Sequence, residues 1–284
     1  MRFVLATCRP KPGLTPSDAL LARALREQSA EVVAVPWDAI EPGREEGVVC
    51  LRSTWDYHLR WDEFRDWVGR FAEPGRLCNP AATVLWNADK RYLRDLALAG
   101  IALPRTRWVE PGARPALAPV LEEWGVTDAV LKPRVSATAF GTHVVSRDRG
   151  IGEADWPALE RSGCLLQEFV PEIQTGGEIS LVFLCGGFSH AMLKRPRDGD
   201  FRVQMDFGGS LETARPADRA VEFAETALAA AARPWLYARV DMVETESGPV
   251  LMELELIEPD LFFTPGAAAR LAKGLIATVA GLSP

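Results

Sequence analysis

The sequence predicts an α/β protein, with a parallel α/β domain at the N-terminus followed by a two-lobed α+β module. Three observations carry this. Strand-like and helix-like runs alternate through the first hundred residues, the signature of a parallel sheet with helical crossovers. From about Arg105 the pattern changes to short strands set around short helices. Beyond Ile179 the strands come in pairs joined by hairpin signals. The expected units are therefore 1–104, 105–179 and 180–284, and a chain of 284 residues that is 48% hydrophobic can give each a core.

Element by element, RFVLAT is a strand. Thr15, with Pro16 behind it and Asp18 three residues on, is a helix start for ALLARALRE. EVVAVPW and GVVCLR are strands, and Phe64, Trp67, Val68 and Phe71 follow the i, i+3, i+4, i+7 rule of an amphipathic helix. A further helix is expected to open at Asn87 and close at Gly100, before Pro104. The middle unit reads TRWV, APVLEEWG, AVLKP, THVVS, WPALERS and CLLQEFV. The last reads ISLVFL and FSHAML around Cys185-Gly186-Gly187, then FRVQM, a helix near Ala217–Ala232, the strands LYARVDMVE and PVLMELELI, and a helix after Pro265. There is no repeat and no low-complexity tract.

The formal charge is −7 with arginines scattered, so neither nucleic acid nor an anionic membrane is an expected partner. Met1 runs straight into a strand with no basic or apolar leader and no spanning run follows, so the expected location is the cytoplasm. Five widely spaced cysteines suit reduced, packed thiols better than a disulfide framework. Only five of the 32 basic residues are lysines, so a lysine inside an apolar strand asks for a local reason.

Candidate chemistry begins at the last hairpin. Folding it about Ser247 sets Asp241 opposite Glu253, and strand alternation puts Glu253 and Glu255 on one face, with Met252, Leu254 and Leu256 on the other. Three converging carboxylates call for a cation, and oxygen ligands in small number suit Mg²⁺. A wet strand face is the competing account. Lys132 ends the apolar run AVLKP, and the small residues after it (Ser136, Ala137, Thr138, Ala139, Gly141) let backbone N–H groups close over phosphates, although no Walker motif is present. Lys90 lies next to Arg91 and Arg94 in the first turns of the helix expected from Asn87. Gln167, Glu168, Phe169 and Val170 run into Pro171, where backbone groups lose their ladder partners and could meet a purine edge; Phe169 and Val170 suit a core equally. Lys194, Arg202 and Arg239 could neutralise phosphoryl oxygens or pair with local acids. Arg52, Ser53 and Tyr57 follow the strand GVVCL, at the carboxyl end where open α/β sheets bind ligands. His58 and His190 stand alone, so a hydrolytic triad is not indicated.

Taken in order, NADK at 87–90, VLKP at 130–133, QEFV at 167–170, GEIS at 177–180, FRVQ at 201–204, RVD at 239–241 and MELE at 252–255 resemble the ATP-grasp superfamily over most of the chain. The likeness is to the glutathione synthetase and ribosomal-protein glutamate ligase branch. Within it LRSTWDYHLR, YARVD and LMELELIEPDLFF resemble the ATP-grasp cyclo-ligases of cycloserine biosynthesis. The resemblance implies a pre-ATP-grasp domain, a small central lobe and a C-terminal lobe, with ATP held between the lobes. It implies further that Lys90, Lys132 and the loop with Ser136, Ala137 and Gly141 meet phosphates, that Gln167 to Val170 bind adenine, and that Glu172 or Glu178 meets the ribose side. Asp241, Glu253 and Glu255 would hold Mg²⁺, Lys194 and Arg202 would meet the γ-phosphate or an acyl phosphate with Arg239 nearby, and Arg52, Ser53 and Tyr57 would face the substrate. Two departures stand out: Glu255 takes a position usually held by Asn, and the loop lacks the common Gly-Ser pair.

The implied function is an ATP-dependent carboxylate–amine ligase working through an acyl phosphate on a small amino-acid-like substrate, between molecules or by ring closure. A small-molecule kinase on the same scaffold, which would yield a stable phosphorylated product, and a non-catalytic ATP-binding module are the alternatives. Oligomeric state is left open, a homodimer among the options.

Overall fold

The structure is a computed structural model and describes residues 1–44, 47–71, 75–197, 199–200, 202–203 and 208–281. Strands β1 (Arg2–Thr7), β2 (Glu31–Pro36) and β3 (Val48–Leu51) form a parallel sheet in the order β2-β1-β3. Helix α1 (Pro16–Glu27) starts as its sequence dictates: the Thr15 hydroxyl accepts the Asp18 N–H at 3.0 Å, and Pro16 occupies the first turn where no N–H is needed. On the other face, α2 (Trp61–Gly69) buries Phe64, Trp67 and Val68 with Val4 and Leu51 of the sheet.

The helix expected to open at Asn87 is two helices, α3 (Ala81–Ala88) and α4 (Tyr92–Leu98), and Lys90 sits in the break between them. Asn87 caps nothing. Its amide donates to the Leu254 carbonyl at 2.8 Å and accepts the Leu256 N–H at 2.7 Å, so it binds a strand edge far along the chain. Asn79 does the same, donating to the carbonyls of Tyr237 and Leu256 and accepting the Leu236 N–H. These two amides satisfy backbone groups that would otherwise be buried without partners.

The second sheet is antiparallel, in the order β4-β7-β5-β6, from β4 (Thr106–Val109), β5 (Asp128–Pro133), β6 (His143–Ser146) and β7 (Cys164–Glu168). Helices α5 (Leu117–Trp124) and α6 (Trp156–Ser162) close its core around Leu121, Leu131, Leu159 and Leu166. After the single turn α7 (Glu172–Thr175), the third sheet comprises β8 (Glu178–Leu184), β9 (Gly187–Arg195), β10 (Ser210–Ala214), β11 (Tyr237–Thr245) and β12 (Gly248–Glu255), in the antiparallel order β10-β9-β8-β11-β12. Helix α8 (Asp218–Ala231) packs on it through Ala220, Ala224, Ala227 and Leu228, and α9 (Pro265–Val279) returns to α1 through Leu271 and Leu275.

Three expectations change. β8 begins at Glu178, so a boundary after Ile179 falls inside a strand. Of the strand expected at FRVQM, Phe201, Gln204 and Met205 lie outside the described residues, while Arg202 and Val203 are not in a strand; the strand after β9 is β10. Cys50 and Cys78 form a disulfide rather than staying reduced, with Cα atoms 5.1 Å apart. The segment 76–78 runs alongside β3, the Cys78 N–H donating to the Val49 carbonyl, which a spacing of 28 residues does not reveal. Cys8, Cys164 and Cys185 are free thiols. No helix of the described residues is long and apolar enough to cross a membrane.

Candidate active site

The third sheet presents a ladder of charged side chains on one face. Strand alternation puts Glu178 and Ser180 of β8, Lys194 of β9, Arg239 and Asp241 of β11, and Glu253 and Glu255 of β12 in cross-strand register: Glu178 opposite Lys194, Ser180 opposite Asp241, Arg239 opposite Glu255, and Asp241 opposite Glu253. Across the gap, β5 turns Val130 and Lys132 toward the same space while Ala129 and Leu131 enter its own core. The result is a cleft of about 380 Å³, in the range of a small-molecule site, lined by both sheets, by the break between α3 and α4, and by Trp55 and Tyr57 of the N-terminal domain.

Asp241 is the hub of the ladder. One oxygen accepts from Ser180 at 2.5 Å and Arg239 at 2.9 Å, and the other from Lys194 and Arg239 at 3.0 Å each. Burial works against its charge, but Arg239 and Lys194 outweigh it and hold the carboxyl well below its ordinary range. Lys194 also donates to Glu178 at 2.8 Å, Arg239 to one oxygen of Glu255, and Lys90 to one oxygen of Glu253. Burial lifts Glu255 to about 7, only partly offset by Arg239 and reinforced by Asp241 and Glu253. Lys132 has no salt-bridge partner among the described residues, and burial pushes its ammonium down to about 8.

The sequence-derived candidates separate clearly. Lys90, Lys132, Ser136, Ala137, Gln167, Glu168, Phe169, Val170, Glu178, Lys194, Arg202, Arg239, Asp241, Glu253, Glu255 and Tyr57 all line the cleft. Glu168 is already paired to Arg105 through two bonds of 2.7 Å, and Arg202 to Asp200. Gly141 and Glu172 do not line it. Gly141 instead shapes the loop: at φ +66° a Cβ there would lie 2.9 Å from the Pro133 ring, and Thr138 and Ala139 before it are also left-handed. Strain of roughly 1–3 kcal/mol per non-glycine residue is tolerated where function needs the shape. Arg52 and Ser53, expected at the substrate, are 1% and 0% exposed and do not reach the cleft. Arg52 is a structural clamp, donating to Asp18 at 2.7 Å and to the Pro259 carbonyl at 2.7 Å.

The structure also adds residues. A β-bulge between Asp241 and Met242 leaves Met252 without a cross-strand partner and turns it into the cleft, where it packs with Phe169, Val170 and Val203. Strict alternation had put Met252 on the opposite face. Glu258, just past β12, lines the cleft and is raised to about 8 by burial and by Glu255. Its sequence signal is a third acid following 253 and 255, flanked by apolar Ile257. Lys11 approaches over the Trp55 ring at 4.8 Å.

Among the described residues no three His, Cys, Asp or Glu side chains are gathered to hold a metal by themselves. The oxygens of Asp241 are committed, whereas Glu253 and Glu255 each give one oxygen to a cation and keep one without a partner among the described residues. Two free carboxylate oxygens fit an ion that completes its shell with phosphate oxygens and water, as Mg²⁺ does.

Two facing antiparallel lobes with a lysine-lined cleft between them, behind a parallel α/β domain, define an ATP-grasp ligase. The N-terminal residues 3–79 match the family model of the D-cycloserine synthetase DcsG N-terminal domain. The cycloserine biosynthesis protein DcsG of Streptomyces lavendulae is 33% identical over 282 residues, covering 90% of this chain and 91% of that protein. A probable alpha-L-glutamate ligase of Vibrio parahaemolyticus is 26% identical, covering 66% of this chain and 62% of that protein. The crystal structure of D-cycloserine synthetase DcsG superposes with a TM-score of 0.84 at 28% identity, covering 98% and 99% of the two chains. D-alanine–D-alanine ligase of Bacillus anthracis complexed with ATP shares the fold at a TM-score of 0.69 and 15% identity, covering 99% and 98%. The chain belongs to the family of the cycloserine biosynthesis protein DcsG within the ATP-grasp ligases.

Proposed function

We propose that the chain joins a carboxylate to an amine at the expense of ATP, through an acyl phosphate, on a small amino-acid-like substrate, and that the amide closes a ring. The observation that carries the reading is the placement of Lys90, Lys132 and the two free carboxylate oxygens of Glu253 and Glu255 in one cleft. Ring closure rests on the 33% identity to a cycloserine biosynthesis protein.

In this reading Val130, Gln167, Phe169, Val170 and Met252 form the apolar end that receives adenine, and Lys90, Lys132 and the loop from Ser136 meet the phosphates. Glu253 and Glu255 would hold Mg²⁺, and Asp241 would join only by releasing a bond to Lys194 or Arg239. When bound, Mg²⁺ supplies positive charge to the transferring phosphoryl oxygens. Lys194 and Arg239, held on the sheet face by Glu178, Asp241 and Glu255, keep donors fixed beside the phosphates, and Arg202 lines the same cleft. A carboxylate oxygen takes the γ-phosphoryl group, an amine then displaces phosphate, and ADP, phosphate and amide leave; no protein nucleophile takes part.

Amino acids assayed with ATP and Mg²⁺ are expected to stimulate ADP and phosphate release together, with a new amide in the mass spectrum. A stable phosphorylated product with no free phosphate would favour kinase chemistry instead. A pH dependence is also expected. The Lys132 ammonium is lost from the free enzyme above about pH 8, so KM for ATP should climb by up to about tenfold per pH unit beyond it. Lys132→Arg, always charged, should flatten that limb. A wild-type KM that stays level to pH 9.5 removes Lys132 from phosphate binding.

A further inference from the structure

We propose that Glu258 binds the ammonium group of the amino-acid substrate and so sets the enzyme's preference for amino acids over plain carboxylic acids; this rests on the ligase reading above. Glu258 is 9% exposed and lines the cleft, and its carboxylate accepts from its own backbone N–H, yet no lysine or arginine pairs with it among the described residues. That separates it from Glu178, Asp241, Glu253 and Glu255, each of which has a lysine or arginine at hydrogen-bond distance. Lys90, the cation whose field reaches Glu258, donates to Glu253, and the other charges acting there are the acids Glu253 and Glu255. Burial among acids favours the protonated form of Glu258, and an arriving cation reverses that preference. The cleft is built to receive one.

The backbone that carries the carboxylate is also held in place. The loop that carries Glu258 has its carbonyls gripped one after another by side chains from elsewhere: Ile257 by the Tyr237 hydroxyl at 2.9 Å, Pro259 by Arg52 at 2.7 Å, Asp260 by Arg239 at 3.1 Å and Leu261 by His190 at 2.9 Å. Phe262, left-handed at φ +45°, closes the loop with its N–H on the Asp260 carboxylate at 2.9 Å. Four donors on four successive or near-successive carbonyls make a preorganised binding group.

The chemistry of the neighbours selects an organic ammonium over a metal ion. Glu258 shares the cleft wall with the rings of Tyr57 and Phe262 and with Ile257. Aromatic faces and apolar surface favour an alkylammonium and its carbon skeleton, whereas Mg²⁺ asks for oxygen on every side. The free oxygens of Glu253 and Glu255 already provide for the ion.

The test pairs amino acids with their des-amino analogues: D-alanine with propionate, D-serine with 3-hydroxypropionate, L-glutamate with glutarate. ADP release is measured with wild type and Glu258→Gln at saturating ATP and Mg²⁺, with hydroxylamine present as the amine that displaces phosphate from the acyl phosphate. The wild type should prefer the amino member of the stimulating pair by roughly 10²-fold in kcat/KM, the scale of one truncated charge-assisted contact. Glu258→Gln should collapse that preference to within about threefold through KM for the amino acid, leaving KM for ATP and the Mg²⁺ requirement where they were. Wild type stimulated equally by both members, or a variant that keeps the preference, overturns the Glu258 assignment and leaves the ligase reading standing. A variant that raises the Mg²⁺ requirement assigns Glu258 to the metal and overturns the proposal. Indifference of wild type to all six compounds sinks both readings.

Discussion

Glu255→Gln should lose about 10³-fold in ATP-dependent turnover while remaining folded, the loss expected when one charged contact to a transferring phosphoryl group is removed. Glu255 has one oxygen on Arg239 and one free in the cleft. The glutamine amide keeps an oxygen for Arg239 and replaces the metal-facing carboxylate with a neutral group. Arg239 keeps both oxygens of Asp241, so the variant strands no cation and should stay folded. Asp241→Asn is the less informative variant, because that carboxylate satisfies Arg239, Lys194 and Ser180 at once, and weakening it confounds folding with catalysis. Turnover by Glu255→Gln within tenfold of wild type, at Mg²⁺ concentrations that saturate the latter, would remove Glu255 from the metal's shell.

The parts of the site that were legible in the sequence are those fixed by local rules. A turn near Glu246–Gly248 dictates that Asp241 faces Glu253, and the rarity of lysine in this chain marks Lys132 at the end of its apolar run. What was not legible depends on long-range contact. Arg52 ends a parallel strand, the place where such sheets bind ligands, but its carboxylate partner lies 34 residues upstream and its carbonyl partner 207 downstream. The sequence places Lys90 on one helix because nothing local marks the break at 89–91; the break follows from Asn87 binding the edge of β12. Met252 reaches the cleft through a bulge, and one unpaired residue inverts the side assigned by alternation. Glu258 follows the strand, where no periodicity assigns a face.

Arg52→Met should destabilise the protein by roughly 3–5 kcal/mol, the range for removing one partner of a buried ion pair. The guanidinium is 1% exposed, lies over the rings of Tyr237 and Phe263, and joins three parts of the chain: Asp18 in α1, its own strand end, and the Pro259 carbonyl in the loop after β12. Methionine fills much of the volume but leaves Asp18 charged and buried with only the Thr15 hydroxyl and its own helix turn, and leaves the Pro259 carbonyl unpaired. A fall in melting temperature on the order of 10 °C is the corresponding shift for a chain of this size. Asp18→Asn added to Arg52→Met should recover part of the loss, because it removes the stranded charge, and the double-mutant cycle then reads the coupling directly. The same cut also loosens the loop that presents Glu258, so KM for the amino acid should rise in Arg52→Met even at temperatures where the protein is fully folded. An unchanged melting temperature would show that α1 and the C-terminal loop are held together by the apolar contacts of α1 with α9 alone, and that Arg52 clamps nothing.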